Sequence, residues 1–233
     1  FAGEGEQPNM LLFDIQSSQI NDIRDRVLNR DIPVLQQVPI VTMGLTEING
    51  LDKSDNEELE EEERRSRSLY NREFRVTYRD SLIDSERLVD GKLRPVENPG
   101  DSIFVSFDKN YAERTGVSLG DEIVFNVQGR PLKTYVGSLR DISFRQLSTN
   151  FLVLFPDKVL NNAPQFHVII TKTKDERQAA ELQSEIVREF PNISIVNLAM
   201  VVETLEELLG KISFVIQFMA MFSILARWPK KYS

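Results

Sequence analysis

The sequence predicts an α+β fold of split ferredoxin-like kind, in which two β-α-β units flank an inserted β-rich block. Two observations predict it. Near each end of the chain a short apolar run is followed by a helix-spaced segment and a second apolar run. The stretch between them is dense in turn residues and short alternating strands. The chain has 233 residues, 41% hydrophobic and 27% charged, which are globular proportions with ample material for a core.

The first unit opens on Asn9-Met10-Leu11-Leu12-Phe13-Asp14-Ile15, a short apolar run that reads as a buried strand. Ser17 or Ser18 can cap the helix that follows, where Ile20, Ile23 and Val27 recur at helical spacing. Pro33 ends that region. Val38 to Ile48, with Pro39 at its start, reads as the next strand and closes at the turn dipeptide Asn49-Gly50. The second unit repeats the shape. Phe166 to Ile170 is a strand, and Asp175 caps a helix that buries Ala179, Leu182, Ile186 and Phe190. Pro191 stops that helix, and Ile193 to Val196 is the strand that follows. A right-handed crossover is the expected hand for each unit.

Between the units, Ser54 to Ser68 reads SDNEELEEEERRSRS. Glu60, Glu61 and Glu63 stand four residues before Arg64, Arg65 and Arg67, the favourable order for helical ion pairs, so the segment reads as a solvated helix. A cation-binding acidic patch is the alternative, although the alternating ligands and turn glycine of a calcium loop are missing. From Phe74 short strands follow. Phe74 to Tyr78 alternates, Ile103 to Phe107 is a strand, and Asp108 begins a short helix that Gly116 can end. Leu119-Gly120-Asp121 is a turn. Glu122 to Val127 and Leu132 to Leu139 form a hairpin around Gln128-Gly129-Arg130, and Phe151 to Phe155 is one more strand. The implied division is 1–53 and 165–200 as the two halves of the α+β part, 54–73 as a charged connecting helix, 74–164 as the inserted β-rich subdomain, and 201–233 as a stalk helix.

The C-terminal segment is the most distinctive part of the chain. From Val201 it reads VVETLEELLGKISFVIQFMAMFSILA and then RWPKK. Glu203, Glu206 and Glu207 lie on one side of the implied helix, with Val202, Leu205, Leu208 and Leu209 on another. The helix runs without proline into an apolar stretch from Ile212 to Ala226, just short of the roughly 20 residues that span a bilayer. Trp228, Lys230 and Lys231 supply a flank of the kind found at a membrane surface. The expectation is a helix that enters a bilayer; the alternative is a buried core helix with a basic tail.

Composition narrows the chemistry. A net charge of -8 argues against a nucleic-acid partner. With no cysteine and one histidine, His167 in an apolar strand, zinc sites and histidine-based triads have little to work with. Absence of cysteine suits a bacterial extracytoplasmic domain. Gly3-Glu4-Gly5 lacks the strand-turn-helix setting of a dinucleotide fingerprint, and no phosphate loop exists, so the chain is not expected to bind ATP. Asp14, Asp80, Asp121 and Asp141 sit at strand or turn positions, with nothing to pair them against a pocket. Asn192-Ile193-Ser194 fits a glycosylation acceptor, a motif common by chance. No catalytic, cofactor-binding or metal-binding residue is assigned, and the chain is expected not to be an enzyme.

The strings NMLLFDIQ, VTMGLTEINGL, FRVTYRDSL, TGVSLGDEIVFNVQGRPLKTYVGSLRDI and NFLVLFPDKVLNNAP occur in that order. Together they resemble the extracytoplasmic region of FtsX-type ABC-transporter permeases. The MacB-like proteins are the broader group and the YbbP branch the nearer one. The resemblance runs from about Asn9 to Leu225 and is most specific at Tyr78-Arg79-Asp80, Leu119-Gly120-Asp121 and Asn150 to Pro156. It implies a porter-like α+β part split by a β-rich insertion, on the periplasmic side of the inner membrane. It implies a parent protein with membrane helices and a separate cytoplasmic ATPase. It implies transmission of ATP-driven motion, a lipase-like partner and a link to hydrophobic compounds. The first membrane helix of the pattern is missing, and Pro229 and the lysines fall where a membrane helix would continue, so the chain resembles an excised domain. A stand-alone lipid- or ligand-binding module is the competing function, and a carboxylate hydrolase is a weaker third.

Overall fold

The computed structural model describes residues 8–61, 66–98, 100–143 and 149–198. It is a strand-rich mixed α/β fold. In chain order the elements are β1 (Met10–Gln16), α1 (Ile20–Leu28), β2 (Val34–Ile48), α2 (Lys53–Glu58), α3 (Arg67–Asn71), β3 (Glu73–Tyr78), β4 (Glu86–Gly91) and β5 (Phe104–Asp108). They continue with α4 (Lys109–Thr115), β6 (Glu122–Val127), β7 (Arg130–Ile142), β8 (Val153–Phe155), β9 (Phe166–Thr171), α5 (Glu176–Glu189) and β10 (Ser194–Asn197).

Strands from residues 10–40 and 166–197 meet in one antiparallel layer with spatial order β10-β1-β9-β2. Helices α1 and α5 cover one face. Ile20, Ile23 and Val27 from α1 and Ala179, Leu182 and Ile186 from α5 form one buried cluster with Met10, Leu12, Ile15 and Ile169 of the strands. Strict alternation would turn Ile15 away from Leu12. A bulge between them, with Asp14 at φ 62°, restores both to the helix-covered face. The helices are cross-tied by Arg26, which reaches Glu185 at 2.8 Å and Glu189 at 2.7 Å. Asp175 caps α5 as its residue type predicts, accepting from the Gln178 N–H at 2.8 Å. Asp175→Ala should therefore lower the unfolding free energy by about 1 kcal/mol in urea titration, and an unchanged midpoint would show that the cap is idle. At α1 the expectation of a serine cap fails. The N-cap is Gln19, with no side-chain cap bond, and Ser17 Oγ is instead 3.2 Å from His167 Nε2.

The inserted block is a closed barrel. Strand β2 pairs with β3, β3 with β8, β8 with β5, β5 with β7, β7 with β6, and β6 again with β2. Closure leaves no free edge within the ring. The interior is filled by Val41, Met43, Leu45, Phe74, Val76, Val105, Phe107, Ile123, Phe125, Val136, Val153 and Phe155, so every stave contributes. Strand β7 is long enough to serve three neighbours: β6 over 130–135, β5 over 135–140 and β4 over 138–142. Gly91 at the end of β4 has φ 74°, and a Cβ there would collide with the Gly137 carbonyl. Only glycine allows β4 to lie so close to β7.

Four sequence expectations change. Strand β2 starts at Val34, four residues before the expected Val38, and its C-terminal half is also a barrel stave, paired with β3 and β6. Pro39 sits inside that strand and not at its start. Its carbonyl accepts from Thr77 Oγ1 at 2.8 Å, so its missing N–H faces the edge where pairing with β3 begins only at Val41. The charged segment is not one continuous helix: α2 ends where Leu59 turns extended (φ -68°, ψ 158°), and α3 begins only at Arg67. Strand β4 was not expected, because a single-face signal is missing: Glu86 is buried and the other five residues are exposed. The stalk helix from Val201 lies outside the described residues. Among the described residues no helix is long and apolar enough to cross a membrane.

Candidate functional site

The carboxylates singled out by the sequence do not converge. Asp121 braces a turn, its two oxygens accepting from Asn49 Nδ2 at 2.9 Å and the Ser118 N–H at 2.8 Å. Asp80 accepts from the Asp157 N–H at 2.9 Å. Asp14 occupies the β1 bulge, where its carbonyl accepts from Asn192 Nδ2 at 3.1 Å. Asp141 faces solvent, 3.9 Å from Arg87. The side chains of Asp121 and Asp80 thus hold backbone N–H groups at turns, as short polar side chains do. Among the described residues no three acidic or histidine side chains form a metal-holding group.

His167 is half-buried on β9, opposite Ile15 on one side and Pro39 on the other. Burial pulls its pKa below the ordinary value. The sign follows from linkage. The unfolded chain takes up the proton first, so stability drops as pH falls through about 6.5 and levels off below the folded pKa. His167→Gln should flatten that segment of a plot of urea midpoint against pH, and an identical pH profile in both proteins would contradict the burial.

The densest polar constellation is one that sequence reasoning did not single out. Arg140 on β7 is fully buried. Its Nε donates to Glu86 Oε1 at 3.2 Å, one Nη donates to the Ser106 carbonyl at 2.5 Å, and the other donates to the Phe151 carbonyl. The second oxygen of Glu86 accepts from Arg79 at 2.5 Å, and Arg79 Nε donates to the Ser81 carbonyl at 2.9 Å. Burial pushes the Arg140 pKa down, and the adjacent Glu86 carboxylate opposes that shift. Asp108, also buried, adds a second negative charge near the guanidinium. Two cations thus face two anions, which is how a buried charge is tolerated. The available signal was the arginine within an alternating strand, Ser138-Leu139-Arg140-Asp141-Ile142. Arg79 of the Tyr78-Arg79-Asp80 motif also belongs to this network, and Asn150 joins its rim by accepting from Ser85 Oγ at 3.0 Å.

Beside the network, Arg79, Asp80, Arg94, Phe104 and Pro156 line a notch of about 10 Å³, room for about one water and far below the few hundred Å³ of a ligand pocket. The Arg94 guanidinium lies over the Phe104 ring at 4.3 Å. The arrangement fastens β4, β5, β7 and the segment around Phe151 to one another.

No family model matches the chain. It is 26% identical over 198 residues, 85% of its length, to an Escherichia coli (strain K12) protein described as an uncharacterized ABC transporter permease, YbbP. Among solved structures, the periplasmic region of MacB from Actinobacillus actinomycetemcomitans superposes with a TM-score of 0.43 at 15% identity, covering 85% of this chain and 92% of that one. The chain spans 22% of the length of the YbbP relative. By sequence, then, this chain is homologous to a segment of an ABC transporter permease of the YbbP kind.

Proposed function

We propose that the chain is the periplasmic region of an inner-membrane ABC-transporter permease and that it acts mechanically, not as an enzyme. The observation that carries the reading is the 26% identity to the YbbP permease over 85% of the chain. On this reading a separate cytoplasmic subunit hydrolyses ATP. The membrane helices of the permease pass the resulting motion to this region, which presents a surface to a periplasmic protein of lipase-like type. The cargo is hydrophobic or lipid-like. We read the four-stranded layer as a split ferredoxin-like, porter-type unit; the order β10-β1-β9-β2 with both helices on one face supports this. The site chemistry supports a mechanical role, since Arg140, Asp121 and Asp80 are engaged in holding backbone.

The test uses the full-length permease in cells that depend on it. The ATPase should co-purify with the permease and keep its basal turnover whether or not residues 9–198 are deleted, while complementation is lost on deletion. Complementation by the deleted permease, or failure of any ATPase to co-purify with the intact one, would overturn the reading. In calorimetry the isolated chain should give no heat with ATP, because its sequence carries no phosphate-loop motif; an affinity in the micromolar range would contradict the assignment.

A further inference from the structure

The strand β2 serves two cores on opposite faces. Val38 and Ile40 pack on the face of the four-stranded layer away from the helices, with Phe166, Val168 and Ile170. From Val41 the buried side switches, and Val41, Met43 and Leu45 point into the barrel. Adjacent Ile40 and Val41 are both buried because the junction falls between them. Pairing passes from β9 to β3 at the same step, with no bulge from Gln36 to Leu45. An uninterrupted strand therefore enters the barrel directly from the layer.

One side chain from the barrel side is buried at this junction. Phe151 precedes β8, yet it is buried in the cluster of Ile40, Val168 and Ile170. Its carbonyl is held by the buried Arg140, and the carbonyl of its neighbour Leu152 accepts from the Asp108 N–H at 2.8 Å. Further bonds cross the same seam. Thr149 Oγ1 donates to Gln36 Oε1 at 3.1 Å, Thr77 Oγ1 donates to the Pro39 carbonyl at 2.8 Å, and the Tyr78 hydroxyl donates to Gln165 Oε1 at 3.0 Å. We propose that Phe151, braced from behind by Arg140 and Glu86, is a wedge that fixes the angle between the barrel and the four-stranded layer, so that the two move as one rigid body. Packed interfaces adopt discrete arrangements and do not deform continuously, and a single braced aromatic can therefore select one of them.

The chain contains no cysteine, so paired spin labels can be placed cleanly. Glu113→Cys on α4 and Ser184→Cys on α5 are exposed positions, one on each body. Pulsed electron paramagnetic resonance on the full chain should give one narrow distance distribution. Phe151→Ala should widen it at least about twofold or split it, while Phe151→Leu keeps it narrow. Amide exchange in β5 and β6 then reports whether the barrel itself is intact. Should Phe151→Ala unfold the chain, Phe151→Val is the deciding variant. A broad distribution in the parent pair, or an unchanged width in the folded truncation, overturns the proposal.

Discussion

Glu86→Ala should lower the unfolding free energy by about 3–5 kcal/mol, because it strands a buried guanidinium without its counter-charge. Both side chains are fully buried, and their contact is 3.2 Å. The loss is a desolvation effect more than a lost contact. Glu86→Gln keeps an acceptor but removes the charge, so it should lie between the parent and Glu86→Ala. Urea unfolding followed by circular dichroism measures both, and the midpoint should move while the slope stays constant, since the surface exposed on unfolding is unchanged. A change below about 1 kcal/mol for Glu86→Ala would mean that water reaches Arg140 and that the network does not brace the barrel.

Phe125→Ala should have a comparable effect for a different reason. Phe125 is fully buried in the barrel, and its ring meets those of Phe74 and Phe155 edge-on at 5.9 and 5.4 Å. A closed ring of strands cannot collapse onto a cavity as readily as an open layer can. The expected loss is therefore about 3–5 kcal/mol, the upper range for aromatic truncation. Val187→Ala on the outer surface of α5, where the side chain is 45% exposed, should change stability by no more than about 0.5 kcal/mol. Equal effects of the two substitutions would place Phe125 outside the barrel core. Strand β2 is common to both bodies, so each variant should still unfold in a single transition. Two separated transitions would show that the barrel and the layer melt independently.

Much of the fold was readable where local chemistry decides it. The spacing of Ala179, Leu182 and Ile186, with Asp175 in front, places α5 because a helical face and its cap lie within a few residues of each other. Gly116 ends α4 at φ 79° for the same local reason. Gly129 takes positive φ at the hairpin between β6 and β7, as its residue type suggests, and Gln128 beside it does so as well, against its own preference. The resemblance to YbbP-type permeases was also carried by the order of short strings, which three-dimensional information does not alter.

What the sequence could not decide depends on residues far apart in the chain. Pairing of β2 with β6 closes the barrel by joining residues 44–48 to 123–126, and no local pattern encodes which edges meet. The Arg140–Glu86 pair spans 54 positions, and a charged residue in an alternating strand reads as exposed until its partner is known. The burial of both Ile40 and Val41 breaks the two-residue period that sequence reading relies on, because one strand faces two cores on opposite sides. Local propensity thus set the elements and their ends, while the joining of distant edges and the sharing of one strand decided the architecture.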